Sequence, residues 1–583
     1  MSTRRKTNTK LICFNLFIIM VLAVKAGFSQ NLENIKEQKA VSVSGGASAF
    51  MSVYSSTDSA ARRSPFSYTL TGSPTITFYG ITLPFTFIYS DEQSTFSQPF
   101  SRFGVSPYYK WIKVHLGHRN VYFSPYTLAG HTFFGAGIEL TPGILRFGYI
   151  KGRFQDAIPE DTTVVLDESL YIPPVPAYKR TGQALKIGIG SEKNYLDFIF
   201  LKASDDSSSI PYTPVKSEVY ASENAVFGIS GKITIAKRIT WKTDLGISAY
   251  TQDLSAEGFE VDNEELMDAI SKIVTPNIST QVLTAGESSL SYKDRYFGLQ
   301  LKYKRIDPDY KSMGTYYFQT DVEQYTIAPA FMLFKYKLMI NSSFGVQHDN
   351  LYNRKVSTSE RKIGSFNVNY NASEKFGINV QYSNYGITQN PALKNTVIDT
   401  VSHRYDSLLI SQVSQNIGVA PRFNFVSDKC MQSIYLFTGY QELSDNNSNT
   451  KEFSNMRSTN ININYTIVFL KNNLSVAPSF LHVTSKTAYG TMKNTGATFS
   501  INKPFFENKL FSNFSTTYTK NYFQGESNGY TFNMNLNLTV QPFKSDKHSF
   551  NINMFLMNNR AEDETLTRDF SEFTGTFGYN MNF

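Results

Sequence analysis

The chain has 583 residues, 41% of them hydrophobic and 15% aromatic, with 47 Phe and 36 Tyr against 2 Trp. Its formal charge of +8 is misleading, because five basic residues and no acidic one fall in residues 1–29, leaving 51 Lys and Arg against 48 Asp and Glu. That near balance gives no case for a nucleic-acid partner. Of the two cysteines, Cys13 lies in the N-terminal leader and Cys430 stands alone, so neither an internal disulfide nor a cysteine metal cluster is expected.

Residues 1–29 read as a secretory signal peptide: Arg4, Arg5, Lys6 and Lys10 precede the apolar run Leu11–Val24, and Gly27 and Ser29 supply a small-x-small cleavage site. Cys13 sits inside the apolar run, which argues against a lipoprotein. Residues 30–40 are polar and short. No later apolar run approaches the ~20 residues of a membrane helix, so any membrane crossing must be made by strands.

From Val41 onward, a two-residue period dominates. Thr75–Ser90 reads as one β-prone stretch, with a bulge or bend expected at Pro84 because proline cannot donate a ladder hydrogen bond. His131–Leu140 and Leu145–Arg153 form a hairpin around Thr141-Pro142-Gly143. Phe297, Leu299, Leu301 and Tyr303 alternate with Gly298, Gln300, Lys302 and Lys304. Tyr530, Phe532, Met534, Leu536 and Leu538 alternate with Thr531, Asn533, Asn535, Asn537 and Thr539. Asn is a poor strand former, so its repeated use on one face implies that this face is wet while the other meets oil.

Link lengths alternate too. Short links near 141–143, 191–194, 236–238, 335–336, 372–375, 427–429, 471–473 and 543–547 intervene between mostly longer ones near 154–181, 204–223, 253–285, 305–322, 348–360, 385–411 and 443–456. This is the pattern of an antiparallel meander with short turns at one end and long loops at the other. The expected fold is all-β: a large antiparallel transmembrane β-barrel of residues 41–583, with about 24 strands (range roughly 18–26). A smaller barrel with the first 130 or so residues folded apart is the other architecture considered. Asp262–Val274 reads as a short helix in a long loop, capped by Asp262 with Glu265 three residues on.

No nucleotide loop, nucleophile elbow or His-Glu-x-x-His occurs, and no catalytic residue, cofactor or metal is assigned. His115 and His118 are three apart and point to opposite faces of a strand. Together with His131 they read as girdle or loop residues. Lys302, Lys304, Asn533, Asn535 and Asn537 are the candidate lumen-facing residues.

The chain closes on Phe573–Phe583, with Phe573, Phe577, Tyr579, Met581 and Phe583 on one face and small polar residues on the other. An aromatic last residue with alternate aromatics before it resembles the terminal signal that bacterial outer-membrane barrels present to their assembly machinery. Phe28-Ser29-Gln30 resembles leaders of Bacteroidota proteins. The resemblance implies an outer-membrane location in a Gram-negative bacterium, lipid and the assembly machinery as partners, and Tyr579 and Phe583 as the assembly signal. The segment 30–40 leaves no room for the plug domain of TonB-dependent transporters. Two functions follow: a channel passing solutes, or a structural or secretion-associated barrel that binds a periplasmic or surface protein through its lumen or outer loops. A lumen this wide must be filled by water, by loops such as 154–181 and 253–285, or by another protein.

Overall fold

The computed structural model describes residues 41–583 apart from 59–62, 80, 92–101, 161–174, 212–213, 215–218, 259–270, 272, 317–318, 356, 392–410, 446–450, 544–546 and 563–568. The expected leader 1–29, the segment 30–40 and most of the expected helix Asp262–Val274 lie outside the described residues.

Among the described residues the wall is a closed antiparallel barrel of 26 strands. The first five are β1 (Val41–Ser44 and Gly46–Ser56), β2 (Phe66–Gly72 and Thr75–Phe78), β3 (Ile81–Ser90), β4 (Arg102–Val105 and Tyr108–Tyr109) and β5 (Ile112–Asn120). Then come β6 (Thr132–Leu140), β7 (Leu145–Gln155), β8 (Lys179–Gly190), β9 (Tyr195–Asp206), β10 (Glu223–Ile235) and β11 (Ile239–Thr251). The middle of the chain supplies β12 (Thr280–Lys293), β13 (Phe297–Ile306), β14 (Val322–Leu333), β15 (Leu338–His348), β16 (Ser357–Asn371) and β17 (Phe376–Pro391). Next are β18 (Ser411–Val426), β19 (Cys430–Asp445), β20 (Met456–Phe469), β21 (Leu474–Thr487) and β22 (Gly490–Phe505). The last are β23 (Leu510–Phe523), β24 (Glu526–Val540), β25 (His548–Arg560) and β26 (Phe570–Asn582). Each strand pairs with its sequence neighbours, and β1 closes on β26 from Gly46↔Asn582 to Ser56↔Glu572.

The strand number stands at the upper end of the expected range, and both differences lie before Thr132. Thr75–Ser90 is not one bent strand. It turns at Tyr79, which takes a left-handed φ of 43°, and Phe78 then pairs with Ile81. Pro84 sits opposite Thr75 in an unbroken ladder. It forfeits only a donor, and its carbonyl still accepts from Ser106 N at 3.0 Å. β4 is the other strand the periodicity missed, split into two short pieces around Ser106-Pro107. The N-terminal strands therefore belong to the wall and do not fold apart.

One end of the barrel carries tight turns. At 236–237, Ala236 and Lys237 are both left-handed (φ 50° and 58°), and Arg238 N donates to Ile235 O at 3.1 Å. Paired left-handed residues match the twist of adjoining strands. The other end carries the long links, 156–178, 207–222, 252–279, 307–321 and 392–410 among them. The pattern lapses late in the chain, where β21–β22 and β23–β24 join through only 488–489 and 524–525.

Pairing fixes the two faces. Phe200, Phe227 and Ile247 meet directly across β9–β11, and Phe227 and Ile247 are 48% and 51% exposed. Apolar side chains stand outward in the same way around the ring, far beyond the patch size tolerated on a soluble protein and as expected of a wall facing lipid. In β26, Phe573, Phe577, Tyr579 and Met581 share this outward face, and Phe583 N donates to Gly45 O at 2.9 Å. Strands ~4.8 Å apart and tilted ~40° give a circular ring of this size a diameter of roughly 50 Å, too wide for wall side chains to meet at the axis.

Leu536 pairs outward with Phe514 and Met554, while Asn535 pairs inward with Ser515 and Phe555. Leu536→Arg is expected to cost roughly 2–4 kcal/mol of insertion free energy at mid-bilayer depth, and Asn535→Arg far less. Comparing the heat-resistant folded fraction of the two variants on gels checks this; equal yields would mean the faces are misassigned.

Candidate functional site

The lumen is divided. Two links from the long-loop end, 121–131 and 307–321, fold inward and pair with each other, Gly314 and Thr315 running parallel to Leu128 and Ala129. They seat on inward-facing residues of β6–β10. Val121, Phe123, Leu128 and Met313 are buried with Phe133, Ile150, Phe154, Ala184, Ile199, Leu201 and Val226 in one apolar cluster. At ~1.5–3 kcal/mol per fully buried large side chain, this cluster is what holds the loops inside. Glycines make the room: a Cβ on Gly148 would lie 2.8 Å from the Phe123 ring, and one on Gly246 would lie 2.9 Å from Tyr126 Cβ.

Polar bonds fix the register of the filling. Ser312 Oγ donates to Thr127 O at 2.6 Å and Tyr310 Oη donates to Tyr126 O at 2.8 Å. Met313 N donates to Asn224 Oδ1 at 3.0 Å, and Ser248 Oγ donates to Lys311 O at 2.6 Å. Nearer the mouth, described parts of 156–178, 207–222 and 252–279 make a second apolar cluster around Tyr178, Ile210 and Ala221. The segments considered at the outset as lumen filling, 154–181 and 253–285, thus meet each other there, while the core filling comes from 121–131 and 307–316.

The wall beneath this filling is charged and ion-paired. Arg146 Nε bonds Asp197 Oδ1 at 2.7 Å, Lys242 Nζ bonds Asp244 Oδ2 at 2.8 Å, and Lys302 Nζ bonds Glu287 Oε2 at 2.8 Å. Tyr126 Oη donates to the same Glu287 oxygen at 3.3 Å, and burial together with that carboxylate holds the Tyr126 phenol well above its usual range. Lys302 and Lys304 lie on the inward face, opposite Ser289 and Glu287 of β12, and Lys302 is neutralised by its partner there.

The remaining arc, β14–β26 with β1–β3, is of a different character. On its inward face only Arg361, Arg422, Asp445, Glu526 and Glu572 are charged among the described strand residues. Asn533, Asn535 and Asn537 stand on that face, opposite Thr517, Ser515 and Asn513. Asn537 Nδ2 donates to Asn535 Oδ1 at 3.0 Å. The wall is thus charged and covered on one arc, and carboxamide- and hydroxyl-lined on the other.

His115 and His118 fall on opposite faces of β5. The His115 ring links Ser106 Oγ (3.0 Å from Nδ1) to Glu139 Oε1 (2.9 Å from Nε2), a serine–histidine–carboxylate relay that sequence spacing did not suggest. Its geometry opposes nucleophilic use. Ser106 is 7% exposed, its N–H is spent on Pro84 O, and Glu139 is shared with Lys113 and Lys186, each at 3.7 Å. Among the described residues, no group of three or more His, Cys, Asp or Glu side chains could hold a metal ion.

No family model matches the sequence, and no curated protein is significantly similar to it. Solved structures with a similar fold include Acinetobacter baumannii OccAB2 (9% identity, 67% of this chain and 96% of that one, TM-score 0.32). The FrpB iron transporter from Neisseria meningitidis, F5-1 variant, shares 9% identity over 94% of this chain and 84% of its own, with TM-score 0.38. The P pilus usher (PapC) translocation pore shares 12% identity over 93% and 99%, with TM-score 0.34. Likenesses this loose carry no function across.

His131 joins the two inward loops. Its ring stacks on Tyr316 at 4.9 Å and meets Phe154 edge-on at 5.3 Å. Burial pulls its pKa down to about 4, below the ~6.5 of an exposed histidine. A folded value below the unfolded one means full stability above about 6.5, and loss as pH falls from there toward 4. Amide exchange of 121–131, corrected for intrinsic rates, is expected to quicken between pH 7.5 and 5, and to lose that added pH dependence in His131→Phe.

Proposed function

We propose that this protein is an outer-membrane channel of a Gram-negative bacterium, passing small, uncharged polar solutes along the neutral arc of its lumen. The division of the wall carries this reading. The inward loops are bonded to the charged arc and bury carboxylates such as Asp197 and Asp244, so the arc they leave open is bordered mainly by amides and hydroxyls. The outward apolar surface supports the membrane location. Val41, the first described residue, and Phe583 both lie at the short-turn end, which the barrel rule assigns to the periplasm, leaving the long loops outside. No catalytic step is assigned.

Purified protein in a planar bilayer is expected to give stable single-channel conductance. Replacing 308–316 by a short Gly-Ser linker is expected to raise that conductance, because the filling loses Tyr310, Ser312 and Met313 together. Absence of conductance from both proteins, with a second protein co-purifying, would overturn the channel in favour of a secretion or scaffold barrel.

Lipid and the barrel-assembly machinery are the partners proposed for insertion, with Tyr579 and Phe583 as the signal. Tyr579 Oη lies 2.9 Å from His548 Nδ1 on the outward face. Deleting Phe583, or replacing Tyr579 and Phe583 together by Ser, is expected to lower the inserted yield several-fold in membrane fractions while leaving synthesis unchanged.

A further inference from the structure

The neutral arc contains a trough. Two residue rows cross it, each fixed by strand register. One runs Ser365–Ser383–Asn416–Gln441–Ser458, and the next Asn367–Gln381–Gly418–Gly439–Asn460, across β16–β20. The second row has glycine at its third and fourth positions; the Gln381 side chain lies over Gly418, where a Cβ would be 2.7 Å from its Nε2, and Gly439 is the floor beside Asn460. The concavity has a volume of about 550 Å³ and includes Phe437 in its lining. The Phe437 ring lies against this floor, since a Cβ on Gly439 would be 3.0 Å from its Cε1. The trough runs from the middle of β16–β18 toward the long-loop end of β19 and β20, on the arc that the inward loops leave uncovered.

Its carboxamides have no partners. Asn367, Gln381, Asn416, Gln441 and Asn460 make no side-chain hydrogen bond among the described residues, and Asn460 Oδ1 is screened from solvent without one. Asn513, Asn535 and Asn537 on the same arc bond one another, while Asn533 and Asn553 share with Asn460 a screened Oδ1 without a partner. Each carboxamide offers donors and an acceptor side by side, the pattern that vicinal hydroxyl groups match. An aromatic ring face suits the C–H face of a sugar ring, and a mostly neutral lining with a few convergent polar groups is the usual make-up of a small-molecule site. No lining residue is charged, so nothing favours a phosphate or carboxylate.

We infer that this trough, floored by Gly439 and edged by Gln381, Asn416, Gln441, Asn460 and Phe437, is a binding subsite for a neutral oligosaccharide. Three strand spacings from β17 to β20 span roughly 15 Å, room for a short oligosaccharide lying across the strands. The inference deepens the channel reading by naming its solute class, and it rests on the lumen being open to that solute.

The test is binding in detergent, which needs no conduction. Purified full-length protein is titrated calorimetrically with maltotriose, cellotriose, chitotriose, mannotriose and, as an acidic control, trigalacturonate. At least one neutral trisaccharide is expected to bind, with trigalacturonate at least tenfold weaker. Phe437→Ala and Asn460→Ala are each expected to weaken binding about tenfold, or ~1.4 kcal/mol. Asn537→Ala, on the same arc outside the trough, is expected to leave it unchanged. Gly418→Val, whose side chain would push Gln381 out of its place over that glycine, is expected to weaken binding at least tenfold; circular dichroism and heat-resistant migration confirm that each variant remains a barrel. No binding by any neutral trisaccharide, equal binding by Phe437→Ala and Asn460→Ala, or preference for trigalacturonate would overturn the inference. Binding without conductance would uphold the subsite and defeat the channel, whereas conductance without binding would do the reverse.

Discussion

Everything in this molecule depends on the pairing of its first strand with its last. A sheet surrounded by lipid cannot leave a row of backbone N–H and C=O groups unpaired, since each would cost several kcal/mol. The ladder from Gly46↔Asn582 to Ser56↔Glu572 removes both edges at once. Closure in turn creates an inside and an outside, and the two-residue period of every strand then has a fixed meaning. Phe577 and Met51 pair on the outside of that seam, Thr576 and Ser52 on the inside. At the inner seam the Phe50 ring lies over Gly578, where a Cβ would be 3.1 Å away, so the close fit of the two chain ends relies on glycine as well as on hydrogen bonds.

A ring of this size has the problem of its own volume. The chain solves it on one arc by building, inside the barrel, a hydrophobic core of the kind a soluble domain has. The inward faces of β6–β10 contribute Phe133, Ile150, Ala184, Leu201 and Val226, and the loops contribute Phe123, Leu128 and Met313. The ion pairs below this core, such as Arg146–Asp197 and Lys302–Glu287, are satisfied within the wall. Their contribution is geometric order more than free energy, because desolvation offsets much of the attraction. On the other arc, carboxamides and hydroxyls keep the surface wet with few charges.

The alternation in β24 and β26 was legible because oil and water stand on opposite sides of those strands, so composition and geometry repeat together. The first strands were harder to read. Tyr79 turns the chain with a left-handed backbone that a tyrosine seldom adopts, and no Gly-Asn or Asp-Gly pair advertises the two-piece strand β4. The inward loops were missed because their partners break the alternation. In β9, Phe198-Ile199-Phe200-Leu201 is apolar on both faces, which is the mark of a strand covered on both sides. Inward glycines such as Gly148 and Gly246 were a second signal, since a strand lining water needs no such clearance. The trough was invisible in sequence, because Asn416, Gln441 and Asn460 lie on three strands and only register brings them into adjacent rows.

The uneven filling also makes the barrel mechanically uneven. A hoop braced along one side by a packed core resists bending there, so thermal deformation concentrates on the unbraced side. The braced side holds Leu128 and Gly314, close in space although 186 positions apart in the chain, and acts as a stiff spine. The unbraced side, held by backbone hydrogen bonds and short polar side chains, is the compliant span. Lateral pressure from the surrounding lipid would therefore flatten the cross-section along that span, making the width of the lumen a property of the membrane as well as of the protein.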